Sequence, residues 1–219
     1  MKILINRLKN VFYALVFIGF SSSYAGSYDD FFNAIAQDDA NRIAQLAARG
    51  FDVNTLSPKG VHGLLIAIGV PAPKVITVLL NTPGIQVEQR NAVDESALML
   101  AAIGGMRDVC ERLIALDADV NKTGWTALHY AAARAHDDIV KLLLAHYAYI
   151  DAESPNQTTP LMMAAMYGSA TTVSTLLDAG ADPRPRNAKG LSALDFARQA
   201  DREDSYKLIA QSLRASGSN

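Results

Sequence analysis

Five segments of the chain repeat one arrangement of apolar and polar positions. Each has a leucine, then small or apolar residues one helical turn further on, and later a second apolar cluster rich in leucine, isoleucine and valine. Apolar residues that recur at intervals of three and four are typical of amphipathic helices. The pattern therefore predicts two short helices in each segment. The segments are anchored at Leu64, Leu98, Leu128, Leu161 and Leu194.

The spacing of these leucines indicates a repeat protein. They recur about every 33 residues, a period that is typical of helical repeats that stack and bury a shared core. A degenerate copy precedes them between Phe31 and Asn54. We place six copies at about residues 28–56, 57–90, 91–120, 121–153, 154–186 and 187–214, so that residues 26–219 form a single domain.

Polar residues and glycines predict where the helices begin and end. Hydroxyl side chains precede the first helix of four copies, where they can cap its first backbone N–H groups. Glycine tolerates the left-handed backbone conformation that ends many helices. The predicted caps are Ser96, Thr126, Thr159 and Ser192, and the predicted terminating glycines are Gly50, Gly84 and Gly180.

These motifs together resemble the ankyrin repeat. The resemblance is carried by TALHYAA at 126–132, by IVKLLL at 139–144 and by GFDVN at 50–54, and it extends over residues 28–214. It implies an all-α ankyrin-repeat solenoid of about six helix-turn-helix units with short β-hairpin fingers. The match is close in the copies anchored at Leu98, Leu128 and Leu161 and looser at both ends, where terminal units need polar caps.

The chain departs from the repeat pattern at two places. The interval between Leu98 and Leu128 is shorter than the others, and the three missing residues fall just before Gly124. We therefore expect a shortened finger and a notch in the row of fingers. Tyr147 stands where other copies have glycine, so we expect this helix to end differently or to place a tyrosine in the left-handed region.

The segment 1–25 has the features of an export signal. Three basic residues come first, an uncharged and mostly apolar run follows at 11–20, and Ser23 and Ala25 form a small-x-small cleavage pattern. We predict cleavage after Ala25 and a periplasmic location. The alternative is an uncleaved membrane anchor, but ten apolar residues are far fewer than the roughly 20 that span a bilayer.

The charge of the chain bears on which class of partner it binds, and its cysteine content bears on what stabilises the fold. The net charge is −2, and loss of the segment 1–25 removes three basic and no acidic side chains, which leaves −5. A protein that binds phosphate backbones usually has a basic excess, so nucleic acid is disfavoured as a partner. One cysteine cannot form an internal disulfide, so the fold must depend on its hydrophobic core.

The residues that could carry chemistry fit structural positions instead. The four histidines form no metal-binding spacing, and His129 occupies the place of the structural histidine in the ankyrin motif. Cys110 aligns with Val140 and Val173, which predicts a buried apolar role. We therefore predict no catalytic residue, no cofactor and no metal.

The resemblance also implies where a partner would bind. In ankyrin domains the concave surface is built from finger residues and from the ends of the first helices. We predict that Trp125 is an aromatic anchor there, because Trp, Tyr, Met and Arg are enriched where interfaces concentrate their energy. The alternative is that Trp125 and Tyr167 pack against neighbouring fingers. The predicted partner-binding residues are Val93, Glu95, Ile103, Trp125, Arg134, Thr158, Met166 and Tyr167.

Three hypotheses of different class follow for the function. The first is a non-catalytic scaffold or stabiliser of another exported protein, and the protein would be a monomer on its own. The second is an immunity-type inhibitor of a toxin. The third is an enzyme whose site the sequence does not reveal, and only a turnover assay addresses that hypothesis.

Overall fold

The computed structural model describes residues 26–216, in which short helices alternate with turns, as predicted. The predicted signal segment lies outside the described residues. Two compact units are present, one ending at Ile85 and the other beginning at Gln86. None of the helices in residues 26–216 is long and apolar enough to cross a membrane.

The described part of the first unit contains four helices. They are α1 at 26–36, α2 at Ala40–Ala48, α3 at Gly63–Gly69 and α4 at Pro73–Asn81. Phe31 occupies the leucine position of the degenerate copy and is fully buried, with its ring 5.0 Å from that of Phe51. Gly63 lets α3 approach this ring, since a Cβ atom there would lie 2.7 Å from it.

The described part of the second unit contains eight helices in two layers. The first helices of its copies, α5, α7, α9 and α11, pack in sequence order, and the second helices α6, α8, α10 and α12 pack beside one another. The leucines and paired alanines lie between the layers and are mostly buried. The helices span Ala97–Ile103, Arg107–Ala115, Ala127–Ala133, Asp137–Ala145, Pro160–Tyr167, Ala170–Asp178, Ala193–Gln199 and Glu203–Ser216, in the order α5 to α12.

The predicted caps form as the sequence indicates. Ser96, Thr126, Thr159 and Ser192 each accept a hydrogen bond from the backbone N–H three residues further on. Pro160 stands in the first turn of α9. Because each cap satisfies a backbone donor that the helix leaves free, the first helices begin at defined residues although they are only seven or eight residues long.

A set of side chains binds backbone groups that lie 26 to 31 residues further along the chain. Within the first unit, Asn54 donates its amide to the carbonyl of Gly84 over 3.0 Å. Within the second, Glu88 accepts from the N–H of Asp119, and Asp151 accepts from the N–H of Asp182. Asn121 both donates to the carbonyl of Tyr147 and accepts from the N–H of Tyr149. We call this set the side-chain ladder.

The finger before α7 is shortened, as predicted. Eleven residues, 116–126, connect α6 to α7, whereas fourteen residues, 146–159, connect α8 to α9. In four other fingers the N–H of the first turn residue donates to the carbonyl four residues on, as Asn91 does to Glu95 over 3.1 Å. Asn121, which begins the corresponding turn of the short finger, instead donates its N–H to its neighbour Asp119 and belongs to the ladder.

Tyr147 adopts the left-handed conformation, with φ at 62°, and its side chain is 86% exposed. Glycines occupy this position in other copies, for example Gly180 with φ at 97°. We expect Tyr147→Gly to raise the free energy of unfolding by about 1 kcal/mol, because it relieves the backbone strain and removes no buried contact. Denaturant titration measures this, and Tyr149→Gly, at an exposed position without positive φ, is the control that should not stabilise.

Candidate functional site

A row of half-buried apolar side chains follows the first helices of the second unit. They stand two residues after the anchoring leucines. Their neighbours at the leucine and alanine positions are mostly buried, so the row is accessible in the middle of each first helix, in addition to the exposed helix ends. We call this row, together with Glu95 and Trp125 of the adjoining fingers, the finger–helix face. Its helical members are Leu100, Tyr130, Met163 and Phe196.

Sequence reasoning missed this row. It selected finger positions and helix ends by analogy with the repeat, whereas the row lies in the middle of each first helix. A signal was present, because all five anchoring leucines are followed at the second position by an apolar or aromatic residue. Such a residue at a position that a repeat core does not bury marks an exposed apolar stripe.

Trp125 forms one wall of a pocket on this face. The pocket is lined by Trp125, His129, Tyr130 and Met163 and has a volume of about 210 Å³. The indole meets the His129 ring edge-on at 5.2 Å between centroids and lies 6.4 Å from the Tyr130 ring. Trp125 therefore packs against its own helix and borders a cavity, and its half-buried side chain does not stand free as a projecting anchor.

His129 is fully buried beside this pocket and is hydrogen-bonded at both ring nitrogens, which confirms its structural role. Its Nδ1 lies 2.9 Å from the hydroxyl of Thr126, and its Nε2 lies 2.8 Å from the carbonyl oxygen of Thr158. Burial lowers the pKa of His129 to about 4, because the charged imidazolium would lose its hydration. The His129 side of the pocket is therefore uncharged near neutral pH.

Glu95 is hydrogen-bonded to Tyr130 of the pocket lining and is held by two neutral donors. The Tyr130 hydroxyl donates to its Oε1 over 3.0 Å, and the Asn91 amide donates to its Oε2 over 2.7 Å. Burial, followed by this carboxylate, raises the pKa of Tyr130 to about 12, so the phenol stays protonated and remains a donor. The finger and the helix are thus joined through a carboxylate that stays half-exposed.

The structure places the predicted partner-binding residues in different surroundings. Glu95 and Trp125 meet at Tyr130, whereas Val93 is 73% exposed on its finger. At the helix ends, Ile103, Arg134 and Tyr167 are exposed and Met166 is half-buried.

Thr158 requires a correction, because it is only 3% exposed and cannot contact a partner directly. Its carbonyl accepts from His129, and its N–H donates to the hydroxyl of Ser154. Thr158 is buried with these contacts, although it stands three residues before its anchoring leucine, as Trp125 does. Thr158 is therefore part of the support for the pocket.

The other reactive side chains of the described residues have structural positions. Cys110 is fully buried in α6, and burial raises the pKa of its thiol to about 12, which keeps it protonated. His62 caps α3 by accepting from the N–H of Leu64. No group of three or more His, Cys, Asp or Glu side chains within residues 26–216 is arranged to hold a metal ion.

The first unit has a separate groove of about 600 Å³. It is lined by Tyr28 and Phe32 of α1, by Pro58 and Lys59 of the following finger, and by Ile66 of α3. The Tyr28 hydroxyl donates to the carbonyl of Leu56, which fixes α1 to the finger. None of the predicted partner-binding residues lines this groove.

Comparison with protein families agrees with this architecture. A model of ankyrin repeats in three copies matches residues 64–154, and an ankyrin repeat model matches residues 156–188. Among characterised proteins, the chain is 31% identical over 144 residues to the ankyrin repeat and KH domain-containing protein mask-1 of Caenorhabditis elegans. That match covers 64% of this chain and 6% of the relative.

A second relative is the nuclear factor NF-kappa-B p105 subunit of Gallus gallus, which is 29% identical over 178 residues. This match covers 78% of the chain and 18% of the relative, so the chain spans less than a fifth of either protein.

Two solved structures are similar over most of the chain. One comes from the complex of a predatory endopeptidase of Bdellovibrio bacteriovorus with an immunity protein. It has a TM-score of 0.72 and 26% identity, and covers 83% of this chain and 97% of the matched one. The other is a repeat domain from Acinetobacter baumannii, with a TM-score of 0.74, 24% identity, and coverage of 83% and 96%.

Proposed function

Because the chain belongs to the ankyrin repeat family, whose repeats are protein-binding modules, we propose that it is a non-catalytic binding module that holds another exported protein. The observation that carries this proposal is the finger–helix face of the second unit. Four consecutive first helices leave an apolar side chain half-exposed there, and a pocket opens beside Trp125. A row of accessible apolar side chains of this kind favours a protein partner.

We propose the cell envelope as the place of action and predict that the mature protein begins at Gly26. Signal peptidases cleave after small residues, and Ser23 and Ala25 meet that requirement. Residues 26–36 then form a helix at the start of the mature chain. N-terminal sequencing of the protein recovered from the periplasm tests this, and retention of Met1 to Ala25 would restore the membrane-anchor alternative.

The binding proposal predicts that Trp125→Ala weakens the complex at least about tenfold, since truncating a central aromatic residue typically removes more than about 1 kcal/mol of binding free energy. The experiment captures partners from a periplasmic extract with residues 26–219 and then measures their affinity for both proteins. Lys141→Ala, at an exposed position of α8, is the matched control. Unchanged affinity of the Trp125 variant with unchanged stability would move the site away from the face.

A second candidate function is that of an immunity-type inhibitor. It is favoured by the likeness to a chain from the complex of an endopeptidase with an immunity protein. The two roles differ in their effect on a captured enzyme. A scaffold or stabiliser leaves turnover intact and raises the thermal stability of the enzyme, whereas an inhibitor abolishes turnover at stoichiometric concentration. An activity assay of the captured partner with and without residues 26–219 separates them.

A further inference from the structure

Glu95 differs from the other acidic residue of its finger in having no cationic partner among residues 26–216. Asp94 pairs with Lys122 and with Arg90, the latter at 3.2 Å. The ion pairs within residues 26–216 do not include Glu95, whose two oxygens receive only the neutral donors of Tyr130 and Asn91. A half-exposed carboxylate fixed in place with its charge uncompensated attracts a positive group from outside the chain.

The pocket lined by Tyr130, whose hydroxyl binds this carboxylate, has room for an apolar side chain. A cavity of about 150 Å³ lined by apolar side chains accommodates a benzene molecule in another protein, and this pocket has about 210 Å³. Trp125, Tyr130 and Met163 present mainly apolar surface to it. His129 adds no charge at neutral pH, because burial holds its pKa at about 4.

We propose that this pocket receives an apolar side chain of a partner polypeptide whose neighbouring lysine or arginine pairs with Glu95. The inference rests on the proposed binding function and specifies what the partner presents to the face. Trp125 is then a wall that contacts the inserted side chain, and it is not itself inserted into the partner. Tyr130 connects the two contacts, because it lines the pocket and orients the carboxylate.

The chain has a single tryptophan, and it lies in this pocket. Its fluorescence therefore reports occupation of the pocket directly. The probe is a phage-displayed library of random dodecapeptides selected on residues 26–219. We expect enrichment of peptides that carry a lysine or arginine close to a large apolar residue. A synthetic version of an enriched peptide should shift the emission of Trp125 on titration.

Variants of both molecules test the charge pair. Glu95→Gln keeps an oxygen for the Tyr130 hydroxyl but removes the charge, so we expect about tenfold weaker binding of the basic peptide. The same peptide with its basic residue replaced by glutamine should bind the wild-type protein and the variant equally. Glu111→Gln, on α6 in the other helix layer, is the control and should leave the affinity unchanged.

The outcomes separate this inference from the proposed function. Peptides that bind without a basic preference, with unchanged affinity for Glu95→Gln, or without any change in Trp125 emission would overturn the inference. The binding function would still stand if such peptides competed with the captured protein partner. A capture experiment that yields no partner sensitive to the finger–helix face would instead overturn the proposed function.

Discussion

Truncation of Leu128 to alanine is expected to lower the free energy of unfolding of the second unit by about 2–5 kcal/mol. Leu128 is 1% exposed, and its helix α7 packs against α5 on one side and α9 on the other. The lost methyl groups leave a cavity that neighbours on both sides cannot readily fill, because each is held in its own copy of the repeat. Denaturant titration followed by circular dichroism measures the change.

The same substitution at Leu194 is the matched control. Leu194 holds the equivalent position in the last copy but is only half-buried, so Leu194→Ala should cost less. If Leu194→Ala proved as damaging as Leu128→Ala, the view that central copies dominate the stability of the second unit would be wrong. Binding is not needed for this comparison, which makes it independent of the proposed partner.

Acidification is expected to destabilise the second unit by up to about 3 kcal/mol through His129 alone. Its pKa is about 4 in the folded protein and near the ordinary 6.5 when unfolded. Between these values the unfolded chain binds a proton that the folded chain does not. The contribution of His129 is therefore complete above pH 6.5 and is lost as the pH falls towards 4.

The measurement is the free energy of unfolding at several pH values between 7.5 and 4.5, followed by Trp125 fluorescence, which reports on the second unit. His129→Met is the control, because Met99 and Met162 stand at the same position in the neighbouring copies. We expect the variant to lose most of the pH dependence in this window. An unchanged slope in the variant would show that other groups cause the acid sensitivity.

The helices and their order were predictable because local features specify them. The leucines, the hydroxyl caps and the alanine pairs act within a few residues of one another, and every predicted cap forms. The short finger was predictable for the same reason, since a missing segment changes the count of residues between two anchors. Comparison with the glycines of other copies left two alternatives for Tyr147, and the structure shows the left-handed one.

The site was only partly predictable, because it depends on contacts between copies. Tyr130 and Glu95 are 35 residues apart, and their hydrogen bond forms only when α7 lies beside the preceding finger. Thr158 shows the limit of reasoning by offset. It occupies the same repeat position as Trp125, but its backbone is hydrogen-bonded to His129 and Ser154 and it is buried. Trp125 is half-buried and Thr158 is buried, so the repeat position alone does not set how deeply a finger residue lies.

The side-chain ladder has a consequence for how this chain can change. Each of its bonds runs from a side chain to a backbone group 26 to 31 residues further along the chain, as between Asn121 and the N–H of Tyr149. A backbone group is present whatever side chain the residue carries. The residue that contributes the backbone group to a ladder bond can therefore be almost any amino acid. Tyr147 and Tyr149 occupy such positions with exposed rings. Surface side chains at these positions can therefore change while the hydrogen bonds between repeats are kept. For the same reason, a copy can be duplicated or lost without new residues being needed to form these bonds.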